Sequence, residues 1–205
     1  MAALVIETAT AACSVALLAG RVRLASAHEL VGRGHAERLV PMIGEVLAAA
    51  GVERADLILV DCGPGSFTGI RVGLAAARAL GYAWGVPVRG YSALALIAAA
   101  QGSDEESVAV AITGGHGELF VQRYARLPVA PLSDLRSLAP ADAATVIPDA
   151  LVLGSGAAPL VAARGFGFAE ERFPDAADAG LLPDALVALP PIPIYGRAPD
   201  AKLPG

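Results

Sequence analysis

The amino-acid sequence predicts an α/β protein built from two lobes. Residues 3–101 show the order strand, strand, strand, helix, strand, helix, strand, helix, and the fourth strand is an uninterrupted apolar run, typical of a strand covered on both faces. That order is typical of a ribonuclease-H-like lobe. A polar segment at 102–107 precedes a strand, glycine turn and strand at 108–124, which loosely repeat the opening of the chain. We therefore expect a first lobe at 1–103, a second lobe at 104–190 and a proline-rich extended tail at 191–205.

The first lobe should open with a β-meander. The segments ALVIE, CSVALL and VRLASAHEL have strand composition, and Gly20 and Arg21 form a tight connection before the third strand. The first helix is predicted at 34–51, where Leu39 and Ile43 have helical spacing and Gly51 suits the position after the last turn.

The rest of the chain carries shorter elements. The strand ADLILVD leads into the glycine-rich CGPGSFTG, and a second helix should run from about residue 68 to 84. VPVRG and YSALALIAAAQ predict a strand and a third helix. Four prolines favour an irregular connection at 126–148, and ALVLGSG predicts a strand and turn after it.

Composition excludes several classes of function. The net charge is -5, whereas a protein that binds nucleic-acid phosphates by itself usually carries an excess of basic residues. Cys13 and Cys62 have no metal-ligand or disulfide spacing and should be reduced, buried packing residues. The uncharged stretches are shorter than the ~20 residues of a bilayer span, and the N-terminus lacks a secretion signal, so we expect a cytoplasmic protein.

The glycine-rich loop after the fourth strand is the most specific motif. It lacks the Lys-Ser/Thr pair of a phosphate-binding P-loop, which favours a structural turn over a ligand loop. Ser66 or Thr68 can cap the following helix. Arg71 falls in the first helical turn, where the helix dipole disfavours a cation. Its charge should be offset by a carboxylate such as Asp61 or Glu7, or by an anionic ligand or partner group.

Small residues recur every four positions along the second helix. The ridge consists of Gly69, Gly73, Ala77, Gly81 and Gly85. Each interior glycine costs about 1 kcal/mol of helix propensity relative to alanine, so the pattern predicts that another backbone approaches closely. The other faces of the helix are also apolar, which indicates either a helix buried in its own fold or one sandwiched between its sheet and a second chain.

No catalytic or metal-binding pattern is present in the sequence. His28 and His35 lack metal-ligand spacing and should be surface or capping residues. Ser155 has no histidine and acid arranged for nucleophilic catalysis. Glu7 ends the first strand, where actin-like ATPases keep an aspartate followed by glycine for nucleotide phosphate, but here no glycine is beside it.

Four segments resemble the TsaB (YeaZ) family, which is glycoprotease-like and related to peptidase M22. They are IETATAACSVAL at 6–17, GHAERLVPMI at 34–43, GPGSFTGIRVG at 63–73 and YGRAPDAK at 195–202. The resemblance covers nearly all of residues 4–101 and thins out afterwards. Glu7 stands where the family usually has aspartate, and Thr113 and Gly115 replace its usual aspartate and arginine, so functions tied to those side chains are in doubt.

This resemblance implies an actin-like ATPase fold of two ribonuclease-H-like lobes, the second reduced. It also implies a noncatalytic subunit that needs no cofactor itself. With a TsaE homologue it would support a TsaD homologue, whose complex uses ATP and threonylcarbamoyl-AMP to modify N6 of adenosine 37 in tRNAs reading ANN codons. Contact with tRNA would be indirect, and the free chain would be a homodimer.

In this family the first two helices of the first lobe form the contact surface. The predicted partner-binding residues are therefore Leu39, Ile43, Gly69, Gly73, Ala77, Arg78 and Gly81. The predicted signature loop comprises Gly63, Pro64, Gly65, Ser66, Phe67, Thr68, Gly69 and Arg71. Two alternatives are an actin-like ATPase or sugar-kinase-type phosphotransferase, suggested by ETAT and the glycine loop, and a metalloprotease, suggested only by the older family description.

Overall fold

The computed structural model describes residues 1–196, and its first lobe has the predicted order of elements. Five strands form one sheet in the order β3-β2-β1-β4-β5. They are β1 (Ala2–Glu7), β2 (Ala12–Ala19), β3 (Val22–Leu30), β4 (Leu57–Asp61) and β5 (Val88–Tyr91). The helices are α1 (His35–Ala50), α2 (Phe67–Trp84) and α3 (Ala93–Ala99). Strand β1 pairs antiparallel with β2 and parallel with β4, which confirms the ribonuclease-H-like topology of this lobe.

The two faces of this sheet belong to different hydrophobic clusters. Leu4 and Ile6 point to the side of α1 and α2. Val5, from the same strand, belongs to a cluster that includes α3 and second-lobe residues such as Val110 and Phe120. Because side chains alternate along a strand, odd-numbered residues of β1 therefore face the second lobe.

The second lobe carries a six-stranded sheet in the order β11-β10-β6-β7-β8, with β9 paired to β7. Its two long strands are β6 (Ser107–Thr113) and β7 (Leu119–Ala125). The short strands are β8 (Ala130–Pro131), β9 (Arg136–Leu138), β10 (Leu151–Leu153) and β11 (Phe168–Glu170), and the helices are α4 (Pro140–Val146) and α5 (Ala157–Arg164).

The expectation that 126–148 is irregular is wrong in part, because β8, β9 and α4 lie there. Pro140 occupies the first turn of α4, where its missing N–H would have no partner in any case. Pro131 lies in β8, the outermost strand of the sheet. These prolines therefore mark element ends and edges.

The chain returns to the first lobe at its end. A short 3-10 helix, Ala176–Leu181, packs near β2 and β3, and the Ala176 N–H donates to Ser14 Oγ at 2.9 Å. Residues 189–196, here called the C-terminal strap, then run beside β5, where Leu189 pairs with Gly90. The described part of the predicted tail, 191–196, contains no helix, and the rest of that tail lies outside the described residues.

Candidate partner-binding surface and inter-lobe cleft

The signature loop is held by backbone contacts within the first lobe. The Ser66 side chain caps α2 by accepting from the Gly69 N–H at 3.2 Å, as the sequence predicted for Ser66 or Thr68. The Ser66 N–H donates to the Ala9 carbonyl at 2.6 Å. A Cβ on Gly65 would lie less than 3.0 Å from that same carbonyl, so only glycine allows the two loops to meet. These contacts support the structural reading of the loop.

The small-residue ridge of α2 faces the chain's own sheet. Gly69, Gly73, Ala77 and Gly81 are all buried. A Cβ on Gly69 would lie less than 3.0 Å from the Thr8 carbonyl oxygen, and one on Gly81 would lie equally close to the Val88 side chain. The prediction that these four residues meet a partner is wrong, because they are buried against the chain's own sheet, at Thr8 just after β1 and at Val86 and Val88 around the start of β5.

Two predicted contact residues of α1 are also internal. Leu39 is 0% and Ile43 is 4% exposed, and both belong to the core between the helices and the sheet. They are therefore wrong as partner-binding residues. Their helical spacing identifies the buried face of α1, which packs on β2.

The opposite faces of α1 and α2 are exposed and largely apolar. We call this surface the α1–α2 face. Its residues are Val40, Gly44 and Ala48 of α1 and Ala75, Ala79, Tyr82 and Ala83 of α2, with Arg71 and Arg78 along the same stripe of α2. Tyr82 is 94% exposed, and its exposed neighbours on the helix are Ala79, Ala83 and Arg78. A broad aromatic side chain among alanines is the pattern of an anchor residue at a protein interface.

Arg71 does not pair with the carboxylates predicted for it. Asp61 and Glu7 are fully buried, whereas Arg71 is exposed. Its guanidinium lies 3.5 Å from the centre of the Phe67 ring, and its Nε donates to the Tyr195 hydroxyl at 3.1 Å. Aromatic faces and a hydroxyl therefore hold this cation, and its positive charge remains available to an anionic group of a ligand or partner.

The C-terminal strap covers one edge of the signature loop and α2. The Tyr195 ring packs 5.3 Å from the Phe67 ring, and the Ile194 N–H donates to the Cys62 carbonyl at 2.7 Å. Arg78 donates to the Pro191 carbonyl. Among the predicted partner-binding residues, Arg78 is exposed, and the strap fixes where its side chain lies.

Glycines make room for this strap. A Cβ on Gly63 would lie 2.7 Å from the Ile194 carbonyl oxygen, and one on Gly90 would lie 2.9 Å from that of Pro190. A Cβ on Gly90 would also lie too close to the Cys62 Sγ atom.

Both cysteines are buried free thiols, as predicted. Burial raises the pKa of Cys62 to about 12 and that of Cys13 to about 11.

A cleft of about 1090 Å³ lies between the lobes. One wall comes from the loop at Ala9–Ala11 and the signature loop, and the other from the turn at 113–116 and from Ser155. Phe67, Phe120, Phe173 and Tyr195 contribute aromatic surface to it. Glu7 and Asp61, the acids at the ends of β1 and β4, are fully buried and do not line this cleft.

Metal-binding groups do not converge in the part of the chain that the structure describes. No cluster of three or more histidine, cysteine, aspartate or glutamate side chains occurs within residues 1–196. His35 is buried with its Nε2 3.1 Å from the Ala12 carbonyl, and His28 lies 3.4 Å from Asp175. Over the same residues, no helix is both long and apolar enough to cross a bilayer.

Comparison with known proteins agrees with the two-lobed architecture. Residues 27–158 match the family model described as TsaD: tRNA N6-adenosine threonylcarbamoyltransferase. The solved structure of YeaZ from Pseudomonas aeruginosa has 31% sequence identity to this chain and a TM-score of 0.75, over 86% of this chain and 87% of that one. The Escherichia coli tRNA threonylcarbamoyladenosine biosynthesis protein TsaB is 38% identical over 62% of this chain and 56% of its own length. An uncharacterized Mycobacterium tuberculosis protein is 35% identical over 97% of this chain and 93% of its own length.

The fold and the helix surface define an actin-like α/β protein whose second lobe is reduced to short strands around one long hairpin. Its signature loop serves packing and helix capping. The chain belongs to the TsaB (YeaZ) family.

Three features of this region were not predicted from the sequence. They are the exposed Tyr82, the strap residue Tyr195 and the adjacent buried acids Glu7 and Asp61. The exposure of Tyr82 could have been inferred from its position on the helical stripe opposite the ridge. The other two depend on contacts between distant parts of the chain and have no local signal.

Proposed function

We propose that this chain is a noncatalytic subunit of the machinery that makes threonylcarbamoyladenosine in tRNA. It would bind a TsaD homologue, together with a TsaE homologue, through the α1–α2 face. The observation that carries the proposal is Tyr82, which is 94% exposed on a helix face made of alanines together with Arg71 and Arg78. Buried aromatic anchors dominate the energy of protein interfaces, so an exposed one on such a surface favours a docking role.

Family membership supports the choice of pathway. The Escherichia coli and Haemophilus influenzae relatives are both named as TsaB, a tRNA threonylcarbamoyladenosine biosynthesis protein. ATP and threonylcarbamoyl-AMP would then be ligands of the catalytic partner, and tRNA would be contacted through the complex. A cytoplasmic location is part of the same proposal.

The surface also explains how one protein could have two partners. In the absence of the TsaD homologue, the α1–α2 face of a second copy would cover Tyr82 and its alanine neighbours, giving a homodimer. Arg38 pairs with both Glu29 and Glu45 near α1, with nitrogen–oxygen distances of 2.6 and 2.7 Å, which leaves this cluster with one net negative charge. Arg71 and Arg78 on the α2 side of the face carry positive charge, so the face presents charges of both signs. Like faces could therefore meet without strong repulsion.

The test is co-elution of the purified chain with its TsaD homologue in size-exclusion chromatography. Tyr82→Ala should weaken the complex at least tenfold, because loss of an interface anchor costs about 2 kcal/mol or more. Phe168→Ala, which removes a second-lobe aromatic that is 72% exposed, is the matched control and should leave the complex intact. Unchanged co-elution of Tyr82→Ala would contradict docking through this face.

Nucleotide phosphotransfer is the second candidate, and the inter-lobe cleft favours it. Against it stand the positions of Glu7 and Asp61, which are buried in the core and unable to reach a ligand in the cleft. Titration calorimetry of the lone chain with ATP and magnesium separates the two candidates. Micromolar binding would support the phosphotransferase, and no heat of binding is expected for the noncatalytic subunit.

A further inference from the structure

A row of polar side chains crosses the first sheet inside the protein. Ser14 pairs with Glu7 across β2 and β1, and Asp61 pairs with Tyr91 across β4 and β5. Ile6 pairs with Val60, so the next residues along the parallel strands, Glu7 and Asp61, lie side by side. Adjacent strands are only about 4.8 Å apart. Two carboxyl groups therefore sit next to each other.

This row faces the second lobe. Glu7 lies on the same side of β1 as Val5, and Asp61 lies on the same side of β4 as Leu59, and both apolar residues belong to the cluster shared with the second lobe. Ser14, Glu7, Asp61 and Tyr91 are each 0% exposed. The acids are thus enclosed in the apolar contact between the lobes.

The hydrogen bonds around Glu7 indicate where a proton lies. Glu7 Oε1 accepts from the Ala9 N–H at 2.8 Å. The Tyr91 hydroxyl donates to the Ile6 carbonyl at 2.9 Å, and it also lies 3.2 Å from Glu7 Oε2. A hydroxyl has only one proton to donate. If Tyr91 gives it to Ile6, the second contact is satisfied when Glu7 Oε2 is protonated and donates to the Tyr91 oxygen.

Asp61 is less completely bonded. Its Oδ1 accepts from the Gly63 N–H at 2.8 Å. Its Oδ2 is buried and has no hydrogen-bond partner within residues 1–196. Ionising a buried carboxyl group costs free energy when one of its oxygens has no hydrogen-bond donor. A second negative charge beside it would cost more still.

Among the described residues, no buried cation lies beside this pair. Arg89 of β5 shares the strand face of Tyr91, but its side chain is exposed. β2 contributes Ser14, β5 contributes Tyr91, and α3 has no titratable side chain. Near the 3-10 helix, Asp175 and Asp178 are acidic, and His28 of β3 is engaged with Asp175. Burial first, and then Asp61, raises the pKa of Glu7 well above its usual range, and burial raises the pKa of Asp61 to about 7.

We propose that Glu7 and Asp61 hold one shared proton at neutral pH, seated on Glu7, and that its loss at higher pH loosens the contact between the lobes. The device is independent of the α1–α2 face, which lies on the other side of the sheet. It makes the closed arrangement of the lobes sensitive to pH.

The sign of the effect follows from the two states of the chain. An unfolded glutamate loses its proton near pH 4.3, whereas folded Glu7 keeps it to higher pH. Folding therefore takes up a proton between these limits, and stability is highest at low pH and falls as pH rises. For one proton, the folding equilibrium constant falls tenfold per pH unit, which is about 1.4 kcal/mol.

The first test is urea unfolding of the protein and of Glu7→Gln between pH 5 and 8. The glutamine amide can still accept from Ala9 and donate to Tyr91, so the variant mimics the protonated acid. We expect its slope to be lower than that of the unaltered protein by tenfold per pH unit, and Asp61, whose pKa is raised to about 7, accounts for slope that remains below that pH. Glu53→Gln, at an exposed position, should keep the full slope. An identical slope in Glu7→Gln and the unaltered protein would overturn the proposal.

Two further readouts protect the test against a variant that fails to fold. Infrared spectra of the unaltered protein at neutral pH should contain the carbonyl band of an un-ionised carboxylic acid, and Asp61→Asn should keep it. Its absence from the unaltered protein would overturn the proposal.

Hydrogen exchange in α3, corrected for intrinsic rates, should rise between pH 7 and 9 in the unaltered protein. Exchange that stays flat would refute the loosening of the lobes.

Discussion

Replacing Gly69 by alanine tests whether the ridge of α2 is an internal packing surface. The new methyl group would lie less than 3.0 Å from the Thr8 carbonyl oxygen, a backbone atom that cannot rotate away. Thr8 Oγ1 also donates to the Gly69 carbonyl at 2.9 Å, so a shift of the helix would strain or break that buried hydrogen bond. The start of α2 must therefore move away from β1.

The magnitude follows from three contributions. Overpacking costs about 1–3 kcal/mol. A buried hydroxyl left without its partner costs about 1–3 kcal/mol. The better helix propensity of alanine returns about 1 kcal/mol. The net loss is about 3 kcal/mol, which corresponds to a fall in Tm of roughly 6–12 °C for a chain of this size.

Gly44→Ala is the matched control, because it makes the same change inside α1. A Cβ there would meet nothing within 4 Å, so only the propensity gain of about 1 kcal/mol remains. Urea and thermal unfolding of both variants should therefore give opposite signs. If Gly69→Ala were as stable as the unaltered protein, the ridge would not be packed as described.

Two other substitutions examine the second lobe and the strap. Asp149→Asn should cost about 2 kcal/mol at neutral pH, since the buried carboxylate accepts from Arg123 and Ser107 and the partly exposed guanidinium is screened by water. Burial raises the pKa of Asp149, but the Arg123 and Ser107 hydrogen bonds outweigh it and leave the pKa below its usual value. This contribution is present above an unfolded aspartate's value near pH 3.9 and is lost on acidification, so acid titration of stability should be shallower in the variant. Gly90→Ala should push the strap from β5 because its Cβ would meet the Pro190 carbonyl, and limited proteolysis should then cut the strap faster; unchanged cleavage would contradict this packing.

Local patterns were sufficient to predict the first lobe. Strand β4 is continuously apolar, whereas β3 is a largely exposed edge strand. Helices α1 and α2 end at Gly51 and Gly85, which adopt left-handed conformations. These signals involve neighbours in sequence and survive without tertiary context. In the second lobe the strands of two or three residues are too short for such patterns, and its prolines lie at a helix start and in an edge strand as well as in irregular segments.

The candidate site was predicted less well, and the ridge shows why. Its glycines correctly indicated that a backbone lies close to α2, but that backbone is Thr8 of the same chain, just after β1. Spacing along a helix reports which residues share a face and how bulky they are. It carries no information on whether that face meets the same chain or another one.

By itself, the sequence determined the order of elements in the first lobe, the capping of α2 by its loop and the membership of a family through that loop. Tertiary structure alone decided which face of α2 remains open, that Tyr195 covers Arg71, and that Glu7 meets Asp61. The physical reason is that hydrogen-bonded periodicity arises between near neighbours, whereas burial and charge pairing arise where the chain returns on itself.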